Sequence, residues 1–285
     1  MSELLVHPAT DKQLKAFMRR SAQAVLVSGP SGSGKASLAR RLAEELLEIP
    51  QDSFTDYRYG LLISSIAGKQ IGIESIRELE HFLSLKVPGE KRINRAVIIE
   101  DGQLLSIEAQ NALLKTLEEP MPGNIIILTV TQLDGVLPTI RSRAQHIQVV
   151  RPAKADTEAY FTNQGYEAVA VKQAIAVSGG MPGLMQALLD QSEHPLLAAT
   201  TTARQLLSEP TYQRLLHVEE LAKQRELSTA LLFILQQMAH ISLQSAKGKQ
   251  AVRWQAVMRA AYEASEALRQ NAQTKLALSS LMLQL

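Results

Sequence analysis

Seven consecutive residues, Gly29-Pro30-Ser31-Gly32-Ser33-Gly34-Lys35, restrict the fold of this 285-residue chain more than any other segment. They match G-x-x-x-x-G-K, a spacing in which glycines let backbone N–H groups turn inward around phosphate while the lysine reaches the terminal phosphates. Ala24 to Val27, just before the loop, is a short apolar run of strand character. From Lys35 onward Leu38, Leu42 and Leu46 recur at helical spacing, with Ala39, Ala43 and Leu47 beside them. A strand, a glycine-rich turn and a helix N-terminus in that order form an anion cradle, to which the helix adds its partial positive charge. Gly29, Gly32, Gly34 and Lys35 are the cofactor-binding candidates.

The same alternation continues to about residue 151. Strand signals fall at Leu61 to Ile63, Ala96 to Ile99, Ile125 to Leu128 and Ile147 to Val150. Between them lie a helix with Ile73, Ile76, Leu79 and Leu83 on one face and a second helix from Ser106 to Glu119. Apolar runs that do not alternate are buried on both faces, so residues 1–151 are expected to be an α/β domain with a doubly wound parallel sheet. After Arg151-Pro152 the strand-like runs stop and Ala, Leu, Gln and Glu dominate. The breaker Ser178-Gly179-Gly180-Met181-Pro182-Gly183 divides a small helical domain expected at 152–192. A helical bundle is expected over 193–285, with Leu215, Val218 and Leu221 on one helix and Leu231, Leu232, Leu235 and Met238 on another.

Composition removes several classes of function. The chain has no cysteine, which excludes disulfides, thiolate metal sites and cysteine nucleophiles. Its six histidines, at 7, 81, 146, 194, 217 and 240, show no ligand spacing, so no metal site is expected. Thirty Lys and Arg against 28 Asp and Glu leave a net charge of +2, so binding to nucleic acid must use a local patch. There is no signal-peptide core and no apolar stretch of membrane-spanning length, and the expectation is a soluble, cytoplasmic protein.

Two features depart from an active nucleotide hydrolase. The residue after Lys35 is Ala36, where a Ser or Thr would hold magnesium, and Ser37 is rotated about 100° away on the helix. The strand Val97-Ile98-Ile99 ends in Glu100-Asp101, where such enzymes mostly place Asp and then Glu. Glu100 is one methylene longer than the usual metal partner and Asp101 one shorter than the usual base, which matters because a base must come within about 2.6–3.2 Å of its proton. The two acids are either a degenerate catalytic pair or solvated carboxylates at a strand end.

Other segments resemble one family. Asn111-Ala112-Leu113-Leu114-Lys115-Thr116-Leu117-Glu118-Glu119-Pro120, Leu137-Pro138-Thr139-Ile140-Arg141-Ser142-Arg143, Gln70 to Leu79 and Asn271 to Leu278 are similar to the clamp-loader branch of the AAA+ ATPases. The resemblance implies an AAA+ phosphate-loop domain, a small helical lid and a C-terminal helical collar used for oligomerisation. It implies a role for Ser142-Arg143, with Arg143 an arginine finger in trans for a neighbour's ATP site; the plain alternative is a surface arginine at a strand entry. Some relatives carry a zinc-binding cysteine set after the first helix, which is absent here, so Pro50 to Tyr59 must fold without it. Leu184 falls where active relatives carry a nucleotide-sensing arginine, and Thr129 and Thr131 are both candidates for the first sensor.

The damage falls on the chain's own ATP site, whereas the group serving a neighbour is kept. The expectation is a non-catalytic stator with no autonomous ATPase activity and no required cofactor, with vestigial ATP or ADP binding left open. It would assemble with clamp-loader ATPase subunits and a clamp-opening subunit, act indirectly on the sliding clamp, and sit around primer-template DNA. An active loader ATPase and a pure scaffold are the rivals. Lys86, Lys91, Arg92 and Arg95 form a basic cluster that either faces DNA or is a solvated loop, and Arg77 is a second DNA candidate.

Overall fold

The computed structural model describes residues 4–19, 22–65, 69–85, 87, 91–190, 195–243, 246–270 and 272–285. Lys86, His194, Asn271 and the expected boundary at 192/193 lie outside them. The chain divides into two compact units, residues 1–153 and 154–285.

The first unit runs α1 (Pro8–Met18), β1 (Ala24–Ser28), α2 (Lys35–Leu47), β2 (Gly60–Ile63), α3 (Ile73–Ser84), β3 (Arg95–Ile99), α4 (Ile107–Glu118), β4 (Asn124–Val130), α5 (Pro138–Arg143) and β5 (Gln145–Gln148). The strands pair in parallel in the order β2-β3-β4-β1-β5. Side chains alternate across the sheet, yet both faces are covered, so the strands read as unbroken apolar runs. Leu26, Val97, Ile99, Ile126 and Leu128 pack on Ile76 and Leu79 of α3 and Leu113 and Leu117 of α4. Val25, Val27, Ile98, Ile125 and Ile127 pack on the opposite face against Leu14 and Phe17 of α1 and Leu38 and Leu42 of α2. Burying one such leucine contributes about 1.5–3 kcal/mol, so the sheet is held from both sides.

Three local findings go beyond the sequence pattern. β5 lies two residues earlier than the apolar run suggests, because it is an edge strand in which Ile147 alone is buried. α1 starts with Pro8 at its first turn, with the His7 side chain accepting a hydrogen bond from the Ala9 N–H at 3.0 Å. The segment between α2 and β2 closes over Phe54, which is 1% exposed and whose N–H donates to Glu44 Oε1 at 3.3 Å. A Cβ at Gly60 would lie 2.9 Å from the Phe54 carbonyl oxygen and 3.0 Å from its ring, so glycine is required there.

The second unit is helical: α6 (Lys154–Asn163), α7 (Ala168–Ser178), α8 (Pro182–Asp190), α9 (Pro195–Ser208), α10 (Thr211–Leu216), α11 (Val218–Lys223), α12 (Arg225–Leu243), α13 (Lys249–Arg269) and α14 (Thr274–Gln284). Gly179 and Gly180 adopt φ of 65° and 80° and end α7, which explains the breaker in the sequence. Leu215, Val218 and Leu221 do not share one helix. α10 ends at Leu216 and α11 begins at Val218, with Leu215 at the surface while Val218 and Leu221 enter the core. Met181 and Leu184 belong to the same apolar cluster as Leu231, Leu235, Ala261 and Leu281. Among the described residues, no helix is long and apolar enough to cross a membrane.

Candidate functional site

The sheet order sets the site. β1 lies between β4 and β5, and its C-terminal end feeds the glycine-rich loop into α2, the place where open α/β sheets bind ligands. The Gly29 N–H donates to the Val130 carbonyl at 3.1 Å, tying the loop to the end of β4. A Cβ at Gly29 would lie 2.9 Å from Ser33 Oγ and 3.0 Å from Val149 Cβ, so a side chain there would force the loop open. Gly34, at φ 83°, is the N-cap of α2 and provides no side-chain cap to the helix's first N–H groups. Ser28, one residue before the loop, has its Oγ 2.7 Å from His146 Nε2, which fastens β5 to the end of β1.

Ser33 and Lys35 point to an anion. Ser33 is 8% exposed and its Oγ has no hydrogen-bond partner. The Lys35 side chain is 10% exposed, and its nearest carboxylate oxygen, Asp101 Oδ1, is 3.9 Å away, beyond hydrogen-bonding reach. Burial pushes the Lys35 ammonium below its ordinary pKa, opposed by the charges of Asp101 and then Glu100. A buried cation so loosely compensated favours a phosphate oxygen.

The structure brings Glu100 and Asp101 to the same end of the sheet but gives them different partners. Glu100 Oε1 lies 2.7 Å from Nη2 of Arg40, a residue with no local sequence signal because its partner is 60 positions away. Asp101 adopts φ 52° in the left-handed region, and its N–H donates to Thr129 Oγ1 at 3.1 Å. Its Oδ1 accepts from Gln103 Nε2 at 3.0 Å, and the same nitrogen donates to Thr131 Oγ1 at 2.8 Å. Both sensor candidates therefore brace the turn that carries Asp101: Thr129 directly and Thr131 through Gln103.

These residues fit phosphate and do not fit magnesium. The loop, the unpartnered Ser33 hydroxyl and the desolvated Lys35 suit an anion. Ala36 has no oxygen for a metal, and the carboxylate of Glu100 is already neutralised by a guanidinium.

Arg143 ends α5, which begins at Pro138 and is anchored by the buried Ile140. Its guanidinium lies 2.6 Å from Glu118 Oε1 and donates to the Thr139 carbonyl at 3.1 Å. Ser142 Oγ donates to the same carbonyl at 3.0 Å, so Ser142 closes the helix end that carries Arg143. Ala144, which follows Arg143, is buried. Six residues are too few for a periodic signal, which is why α5 is not visible in the sequence. The residue that aims it was missed as well: Gln110, 3% exposed, accepts from the Leu137 N–H at 2.8 Å just ahead of α5.

The basic cluster is not a single outward patch. Arg95 is 2% exposed, its Nη1 donates to the Leu83 carbonyl at 2.8 Å, and its guanidinium lies 5.3 Å from the centre of the Phe82 ring. Arg95 therefore neither faces DNA nor lies in a solvated loop: at the start of β3 it is drawn inward to satisfy the end of α3. We expect Arg95→Ala to lower the stability of the first unit by about 2–3 kcal/mol, read as a reduced urea midpoint, through the lost charged hydrogen bond and lost packing. Lys91 Nζ and Arg92 Nη1 donate to the carbonyls of Leu47 and Met18 at the ends of α2 and α1. Arg77 is exposed and paired with Glu74 at 2.6 Å. Leu184 is fully buried in the core of the second unit.

A parallel β2-β3-β4-β1-β5 sheet with a phosphate loop after β1 and an acidic end to β3 defines an AAA+ α/β domain. A DNA polymerase III gamma subunit-related protein of Thermotoga maritima superposes with a TM-score of 0.54 at 18% identity, covering 96% of this chain and 97% of that one. The chain belongs to the family described as DNA polymerase III, delta subunit, which matches residues 7–153. It is 30% identical over 189 residues to the DNA polymerase III subunit delta' of Pseudomonas aeruginosa, covering 60% of this chain and 56% of that protein. It is 31% identical over 138 residues to the delta' subunit of Haemophilus influenzae, covering 43% and 41%, and 31% identical over 157 residues to the tau subunit of Bacillus subtilis, covering 51% and 28%. The chain spans about half the length of the delta' relatives it matches. Over the stretches that these relatives match, the chain is delta-prime-like.

Proposed function

We propose that this chain is the non-catalytic stator of a DNA polymerase III clamp loader, and that it supplies Arg143 to the ATP site of a neighbouring subunit. The observation that carries this reading is an asymmetry within the first unit. Its own site has Ala36 and a Glu100 neutralised by Arg40, whereas Arg143 sits at the surface on a braced helix end. A guanidinium suits the finger role because its fixed charge meets the negative charge developing on the γ-phosphate. The partners on this reading are loader ATPase subunits and a clamp-opening delta-type subunit, held through the C-terminal helices as a collar. Primer-template DNA and, indirectly, the sliding clamp complete the assembly in the cytoplasm. A complete phosphate loop at Gly29 to Lys35 favours one rival, an ATPase in its own right.

Steady-state ATP turnover separates the two. The isolated chain is expected to be silent, and adding it to its ATPase partners with clamp and primed DNA is expected to stimulate turnover through Arg143. Substantial turnover by the isolated chain, abolished by Lys35→Ala, would establish the rival.

A further inference from the structure

We propose that the phosphate loop binds the polyphosphate of a nucleotide without a divalent cation, with the Arg40 guanidinium taking the place of the ion. The proposal rests on the phosphate-site reading of Gly29 to Lys35 and is independent of the finger role of Arg143. It starts from the misfit with magnesium. In a metal-using site the residue after the loop lysine and the acid at the end of a neighbouring strand hold the ion between them. Here those positions are Ala36 and Glu100. Ala36 and Arg40 are four residues apart on α2, so they lie on one face of the helix, one turn from each other. The methyl group that replaces the metal ligand therefore shares its face with a cation, and that cation lies 2.7 Å from the other would-be ligand.

The pair is built rather than incidental. The Glu100 side chain is 17% exposed, and removing its partner would leave a mostly buried carboxylate uncompensated. Arg40 Nε is itself buried with no acceptor, so the guanidinium retains a donor that Glu100 does not use. On the loop side, Ser33 Oγ is likewise buried and unpartnered. Lys35 and Arg40, both on α2, together supply two cationic side chains, enough to offset much of the charge that a metal ion otherwise neutralises on a bound polyphosphate. A divalent cation entering the same space would meet the guanidinium, a Glu100 carboxylate already engaged by it, and Asp101, whose Oδ1 already accepts from Gln103.

The test is equilibrium binding of ATP carrying a fluorescent ribose label to the full-length chain, in EDTA and in Mg²⁺ at matched ionic strength. We expect saturable binding whose affinity differs by no more than about threefold between the two conditions. Arg40→Gln is expected to weaken binding in EDTA by about tenfold or more, and Lys35→Met to remove it in both conditions. Adding Ala36→Ser to Arg40→Gln is expected to create a Mg²⁺ requirement. A tightening of about tenfold or more on adding Mg²⁺ to the wild type overturns the proposal, as does binding that Arg40→Gln leaves unchanged. Absence of saturable binding in both conditions overturns it together with the phosphate-site reading. If Arg40→Gln fails to fold, the wild-type comparison of EDTA with Mg²⁺ decides alone. The readout is binding, so its failure leaves the turnover assay for Arg143 untouched, and failure of that assay leaves metal-free binding intact.

Discussion

Arg143→Ala lowers the ATP turnover of the assembled loader by about 10³-fold or more while the complex still forms, if Arg143 acts as a finger in trans. The size follows from where the charge works. A guanidinium brought to the γ-phosphate at a closed subunit interface acts in a site with little water, where a fixed charge is worth far more than at a free surface. Arg143→Lys is expected to recover little, because an ammonium lacks the planar fork that addresses two phosphate oxygens at once. In the free subunit the guanidinium is held by Glu118 at 2.6 Å, with the two side chains 35% and 48% exposed. A pair that exposed is worth about 0–1 kcal/mol, so it can orient the finger and still yield to a phosphate. Glu118→Gln is accordingly expected to change turnover by less than about threefold. Unchanged turnover in Arg143→Ala, with assembly intact, would reduce the chain to a scaffold.

Gln110→Leu destabilises the first unit by about 2–4 kcal/mol and loosens the approach to α5. The side chain is buried under the segment that leads into that helix. Its Nε2 donates to the carbonyls of Leu105 and Gly135, each at 3.2 Å, and its Oε1 accepts from the Leu137 N–H at 2.8 Å. One amide thus ties together the entry to α4, the turn after β4 and the residue just ahead of α5. Leucine has similar bulk but strands one backbone donor and two acceptors away from water, and each stranded group costs about 1–3 kcal/mol before relaxation. Urea unfolding measures the loss, and amide exchange at Leu137 should accelerate more than exchange at the β4 N–H groups. A change below about 0.5 kcal/mol, with Leu137 still protected, would mean that packing rather than the amide holds α5.

How far the chain could be read in advance depended on the range of each interaction. The phosphate loop was legible because its function is written in backbone freedom: Gly32 and Gly34 adopt φ of 76° and 83°, which few other residues tolerate. The three interior strands, β1, β3 and β4, were legible because burial on both faces leaves an unbroken apolar run. β5 was misplaced by two residues because an edge strand buries only one side, and Ile147 alone carries its signal. The single helix expected at Leu215 to Leu221 failed for a related reason: apolar spacing persists across His217, where α10 and α11 meet.

By itself, the sequence determined the alternating α/β layout of the first half, the helical second half, the position of the phosphate loop and the absence of a metal-holding hydroxyl after it. These are local matters, set by periodicity and by the conformational limits of single residues. The strand order, the pairing of Arg40 with Glu100, the bracing of Asp101 by Thr129 and Gln103, and the withdrawal of Arg95 from the surface were decided by tertiary structure. Each of these joins residues separated by a dozen positions or more, with the single exception of the Asp101–Gln103 contact. Such partners are chosen when strands dock in the order β2-β3-β4-β1-β5 and buried polar groups must find whatever partner that order brings within reach.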